Sequence, residues 1–370
     1  MPVSMQVHRC RVWSAGKALG LIAMLGACTP ALRLSSDTPP LILTTATSAG
    51  LKDERGRFRE TLCAIDAVRG YYRDRDCNTL LHRLNGEPTP TGRPVELGPS
   101  PVKLRIRIVP GIFGECAEDM ATPFLDAVRP RPGYGYDLRQ FGFEVAAFRV
   151  AGRSSSAANA AMIREQIVAM NLRPDERLVL IGHSKGMSDI IELIGGDRSV
   201  VPAGSTIVSL TGVVAGAPIA DMAEHAYSVI RRLRLPNCLP GDGGGPASLT
   251  RRARLDYLAT HPLPKDLKYF SLAAFTRPSN ISGGLKATHG MLSSIDQRND
   301  GNVIFTDSII PDSTVLGYLD ADHWAVAMPF ETYAPRWTRP VFSRNHFPRV
   351  VVLEAIARVI AEHQSEGPTG

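Results

Sequence analysis

From residue 102 onward, apolar runs of strand length recur with helical patterns between several of them, and this alternation constrains the fold more than any other feature. The runs are VKLRIRIVPG (102–111), FEVAAFRVAG (143–152), RLVLIGHS (177–184), STIVSLTGVVAG (205–216), KYFSLAAFT (268–276) and STVLGYLDA (313–321). Strands alternating with helices predict an α/β fold with a mostly parallel sheet covered by helices on both faces. SSAANAAMIREQIVAMNL (155–172) reads as one crossover helix, with serines able to cap it and Ile163, Ile167 and Met170 on one face.

Upstream, FRETLCAIDAVRG (58–70) and CNTLLHRLNG (77–86) read as two short helices, followed by a Pro/Gly-rich linker, GEPTPTGRPVELGPSP (86–101). LILTTAT (41–47) suggests an edge strand within a tether. The expected divisions are a leader at 1–27, a tether at 28–56, a helical segment and linker at 57–100, and the main α/β domain at 101–370. Within that domain, residues of about 217–266 do not resemble a simple crossover. ADMAEHAYSVIRRLRL (220–235) and SLTRRARLDYLATHP (248–262) read as helices separated by the breaker cluster PNCLPGDGGGP, which predicts a helical cap insertion.

The run at 177–184 ends in GHSKG, a glycine-flanked serine between an apolar strand and the amphipathic helix KGMSDIIELIGG. This pattern resembles the nucleophile elbow of the α/β-hydrolase superfamily. A sharp strand-to-helix turn leaves no room for side chains at Gly182 and Gly186. The helix that follows aims its first N–H groups and its positive dipole end at the place where an oxyanion would form. The resemblance makes Ser184 the nucleophile and the backbone N–H of Lys185 one oxyanion donor, while the Lys185 ammonium is expected to pair with Asp189 one turn on.

A serine hydroxyl needs a base, and the resemblance implies that an acid and then a histidine follow it in the chain. His323, in YLDADHWAVA, stands just after the final strand-like run, where the superfamily places its base; His289 is the rival, and His225 and His261 fall in the expected cap. The segment DQRNDGNVIFTDSIIPDS offers Asp296, Asp300, Asp307 and Asp312. Asp300 is preferred because NDGNV resembles the acid-bearing segment of several bacterial lipases, with Asp307 as second choice. RIVPGIFGEC resembles the lipases' oxyanion loop, with Pro110 in place of their histidine, and makes Ile112 the second backbone donor.

Residues 102 to 330 thus look most similar to bacterial lipases and esterases. The resemblance implies a serine carboxylesterase or lipase working through an acyl-enzyme, without a cofactor and with no dedicated metal-ligand cluster. The same triad would also serve an acyltransferase, a thioesterase or an amidase, because pocket shape selects leaving group and acceptor. A protein that keeps the fold only for binding has no evident need of a hydroxyl at a strained elbow.

The N-terminus carries Arg9, Arg11 and Lys17 with no acid, then the apolar run ALGLIAMLGA and Cys28. That is the pattern of a secretory signal. LGAC resembles the lipobox of bacterial lipoproteins, which implies a lipidated Cys28, a membrane anchor and, with Thr29 next, the outer membrane of a Gram-negative host. Removing the three cations takes the formal charge from +6 to +3. This mild balance and an aromatic content of 6% argue against a nucleic-acid partner. Cys63, Cys77, Cys116 and Cys238 remain, enough for two disulfides. Cys63 with Cys77 is the most local pairing, and Cys116 with Cys238 would follow from it, although four cysteines allow three connectivities.

Overall fold

The computed structural model describes residues 50–70, 76–112, 138–221, 239, 241–327 and 347–365. A two-residue strand, β1 (Lys52–Asp53), precedes six strands that coincide with the six apolar runs: β2 (Lys103–Val109), β3 (Phe143–Ala147), β4 (Glu176–His183), β5 (Thr206–Leu210), β6 (Lys268–Phe275) and β7 (Thr314–Asp320). They form one seven-stranded sheet in the order β1-β7-β6-β5-β4-β2-β3, and every pairing is parallel. The expected mostly parallel α/β architecture is the observed one.

Side chains alternate across the sheet, so each strand feeds two cores. Val179 and Ile181 of β4 face one cluster, with Phe58, Leu62 and Ile65 of α1 (Arg55–Arg69) and a run from Val351 to Ala361 of the C-terminal helix. Leu178 and Leu180 face the other, with Ile163 and Ile167 of α2 (Ser156–Ala169) and Met187, Ile190, Ile191 and Ile194 of α3 (Lys185–Gly195). Each fully buried Val, Leu, Ile, Met or Phe side chain among these stabilises the fold by roughly 1.5–3 kcal/mol. The N-cap of α2 is Ser155, whose Oγ accepts the Ala158 N–H at 3.3 Å.

The helical segment at 57–100 is integral to this core. α1 packs its apolar face on the sheet, and its buried Arg57 and Arg59 pair with Glu362 and Glu87 at 2.7 and 2.6 Å. The Pro/Gly-rich stretch is held as a belt: Arg57 donates to the carbonyls of Arg93 and Pro94, and Arg358 donates to those of Glu96, Leu97 and Gly98. CNTLLHRLNG departs from expectation. Only Cys77–Leu80 forms a single 3-10 turn, after which Leu81 bridges Leu319 and His82 N–H donates to the Tyr318 carbonyl. The reason is local: Asp76 caps the turn and Cys77 is tied to Cys63 by a disulfide with Cα atoms 5.3 Å apart, so the chain leaves in extended form.

The end of the insertion is α4 (Arg251–Thr260), capped by Thr250. Tyr257 packs on Gly195 and donates its hydroxyl hydrogen to the Glu192 carbonyl, which sets α4 beside the C-terminal end of α3. α5 (Lys286–Leu292), α6 (His323–Ala327) and α7 (Arg349–Ser365) complete the helices used below. The expected strand at 41–47, most of the helix at 220–235, and Cys28, Cys116 and Cys238 lie outside the described residues. Among the described residues, no helix is long and apolar enough to cross a membrane, and no three His, Cys, Asp or Glu side chains group as a metal site.

Candidate active site

β2 pairs with β3 on one side and β4 on the other, so the chain reverses its direction of travel across the sheet between these strands. In open α/β sheets such a reversal opens a crevice at the carboxyl ends of the strands. Val109 sits opposite Gly182, which brings the loop Pro110–Ile112 alongside the turn His183–Lys185.

Ser184 occupies that turn with φ 55° and ψ −130°, a left-handed conformation costly for a residue with a Cβ. Its surroundings hold it there. The Ser184 carbonyl accepts N–H groups from Met187 at 3.1 Å and Val213 at 2.9 Å, while Ser188 Oγ donates to the Val213 carbonyl at 2.6 Å. The flanking glycines answer to contact: a Cβ on Gly182 would lie 2.5 Å from Met187 Cα, and one on Gly186 would lie 2.0 Å from the Val109 carbonyl oxygen. Gly111 passes so close that a Cβ there would meet Ser184 Cβ at 2.6 Å. Ile112 follows it, half-buried against the apolar cluster that includes Val213, Leu249 and Val303.

Behind the turn, Lys185 is wholly buried, and its ammonium meets Asp189 at 2.6 Å as expected. Asn159 of α2 donates to the second oxygen of Asp189 at 2.8 Å. Burial pushes the Asp189 carboxyl upward, and Lys185 opposes that shift.

His323 opens α6 just after β7. Its Nδ1 lies 2.7 Å from Asp300 Oδ2, and its backbone N–H donates to the Asp300 carbonyl at 2.8 Å. Asp300 Oδ1 in turn accepts the N–H groups of Asn302 and Val303 at 2.9 and 2.7 Å. A carboxylate at Nδ1 fixes the hydrogen there and leaves Nε2 as the basic atom. His323 Nε2 is buried with no hydrogen-bond partner among the described residues, so it is placed to take up a proton. Asp322 caps α6, accepting N–H groups from Trp324 and Ala325, and its other oxygen accepts both the N–H and the hydroxyl of Ser282. Burial raises the Asp322 carboxyl against the pull of Ser282.

The two halves meet through His183. Its Nε2 lies 3.3 Å from the His323 carbonyl and the two imidazole centroids are 4.8 Å apart. Burial pushes the His183 pKa well below its usual value, with the nearby His323 adding to the effect. No pattern marked this residue in advance, since it fills the free position of Gly-x-Ser-x-Gly.

The remaining candidates lie elsewhere. Asp307 pairs with Arg251 of α4 and is pushed up to about 6 by burial. Asp296 pairs with Arg298. His289 of α5 is buried, which lowers its pKa against the pull of the Thr276 backbone and of Asp300 and Asp322; its Nδ1 lies 3.4 Å from Ser293 Oγ and makes no hydrogen bond to either carboxylate among the described residues. His261 stacks on Tyr257, and His225 lies outside the described residues.

No protein-family model and no curated protein matches the chain. Among solved structures it is similar to the metagenomic carboxyl esterase MGS0156, with 38% identity and a TM-score of 0.77 over 90% of this chain and 100% of that one. The lipase of Staphylococcus hyicus shares the fold, at 13% identity and a TM-score of 0.51 over 75% of this chain and 100% of that one. The extent and identity of the first match show that the chain belongs to the carboxyl esterases of the α/β-hydrolase fold and is a serine hydrolase of esterase or lipase type.

Proposed function

We propose that the protein cleaves carboxylic esters through an acyl-enzyme on Ser184, with His323 as base and Asp300 as its orienting acid. The observation that carries this reading is the buried Asp300–His323 pair at 2.7 Å, whose unpartnered Nε2 belongs to a histidine touching the neighbour of Ser184. In this reading His323 Nε2 takes the Ser184 proton as Oγ attacks the ester carbonyl. The oxyanion forms in front of the N–H groups of Lys185 and Ile112, each worth roughly 3–4 kcal/mol to the transition state. The imidazolium then gives its proton to the leaving alcohol. Water attacks the acyl-enzyme, its proton passes to His323, and the acid departs as Ser184 regains its hydrogen.

The test is a rate profile on esters of increasing acyl length, for wild type and Ser184→Ala, with fluorophosphonate labelling of both. Turnover and labelling confined to wild type support the reading; a wild type inert to every ester and to the label overturns it. The profile also separates a lipase from an esterase.

The reading extends to an envelope anchor, supported by the basic flank, the apolar run and LGAC at Cys28. Two signals, an acylated cysteine and its diacylglycerol, hold a protein on a membrane where one chain would not. Incorporation of radiolabelled palmitate into wild type, and its loss in Cys28→Ala, is the expected result.

A further inference from the structure

We infer that His183 is a positioning residue for the base, coupling the elbow to His323 across the sheet; the inference rests on the triad reading above. A backbone carbonyl only accepts, so the 3.3 Å contact between His183 Nε2 and the His323 carbonyl requires the hydrogen on Nε2 of His183. His183 is 3% exposed, and a buried imidazole is held neutral by the cost of desolvating its charge. The contact is therefore a neutral N–H to carbonyl bond.

Its place in the chain gives it leverage. His183 is the last residue of β4, opposite Leu210 of β5, and is covalently joined to Ser184. His323 is set from the other side of the site: Asp300 fixes its ring through Nδ1 and its N–H through a carbonyl, and Asp322 fixes the helix that it begins. The His183 bond ties the peptide of His323 to the segment that carries the nucleophile. The two rings lie against each other at 4.8 Å and 36°, which limits how far the base can swing. The His183 side chain thus meets both the ring and the carbonyl of His323. Separations in a reacting pair matter steeply, since a misplacement of about 1 Å costs on the order of 10²-fold in rate.

The experiment measures kcat and KM on a water-soluble ester for wild type, His183→Leu, His183→Gln and His183→Asn, with Ser184→Ala as the zero. Gln carries its amide nitrogen about as far as imidazole Nε2, Leu has no donor, and Asn is too short to reach. Expected are a kcat for His183→Leu lower by about 10- to 100-fold with KM within about twofold. His183→Gln should recover most of that loss and His183→Asn little. A leucine variant with wild-type kcat, or a Gln variant as slow as Asn, overturns the inference. Should the leucine variant not fold, the Gln–Asn contrast decides alone. A wild type no faster than Ser184→Ala overturns the triad reading and this inference with it, whereas an active wild type with unaffected His183 variants overturns only the latter.

Discussion

Asp300 holds His323 twice, through its side chain at Nδ1 (2.7 Å) and through its carbonyl at the backbone N–H (2.8 Å). The two bonds separate under mutation. In Asp300→Asn the backbone bond survives, but an amide N–H facing Nδ1 forces the ring hydrogen onto Nε2, the atom that accepts the Ser184 proton in the proposed mechanism. kcat should fall by about 10³- to 10⁴-fold with little change in the melting temperature. A variant within tenfold of wild type on the same ester would remove Asp300 from the mechanism.

The glycines of the elbow should divide sharply from a glycine that merely stands in a helix. Gly186→Ala puts a Cβ 2.0 Å from the Val109 carbonyl, backbone that cannot swing away, and should cost about 3 kcal/mol or more, or prevent folding. Gly290→Ala, exposed in α5 with nothing within 4 Å, should stabilise by about 1 kcal/mol. Urea midpoints for the two variants decide whether contact, and not glycine content, sets the requirement.

What could be read in advance was whatever repeats locally. Six apolar runs became six strands because a strand buried on both faces writes its burial continuously into the sequence. Asp300 and His323 were legible by resemblance alone, since 23 positions separate them in the chain and only the fold brings them to 2.7 Å. The belt at 86–101 was not legible. It has no periodicity, and it is held by Arg57 and Arg358, the latter on a helix some 260 residues further on. Residues 77–86 have the composition of a helix, yet the disulfide and the bridge to Leu319 take them elsewhere. His183 carries no pattern at all; only its 3.3 Å contact marks it.

Asp307 should give stability a specific pH dependence. Burial outweighs Arg251 and raises its pKa to about 6, whereas the unfolded chain releases the same proton near about 4. Between these values the folded protein binds more protons than the unfolded one, so this group's contribution to stability falls as pH rises through the window. Asp307→Asn cannot titrate. The difference between wild-type and variant unfolding free energies should slope downward from pH 4 to 6 and flatten above. A difference independent of pH over that range would show that Arg251 dominates instead.

The belt predicts its own failure. Arg358 is almost wholly buried, and its guanidinium satisfies three consecutive belt carbonyls as well as Glu354, a carboxylate with no exposed surface that also meets Arg69 at 3.2 Å. Arg358→Met keeps the stem's packing but leaves Glu354 with Arg69 alone and frees the carbonyls of Glu96, Leu97 and Gly98 to seek water. Loss of one partner of a buried ion pair costs about 3–5 kcal/mol. Because that loss concentrates where the belt meets α7, residues 86–101 should open before the rest of the fold. Limited proteolysis followed by mass analysis should find first cuts between 86 and 101 in the variant and not in wild type. Cuts distributed over the whole chain at the same protease dose would mean that Arg358 supports global stability and not the belt.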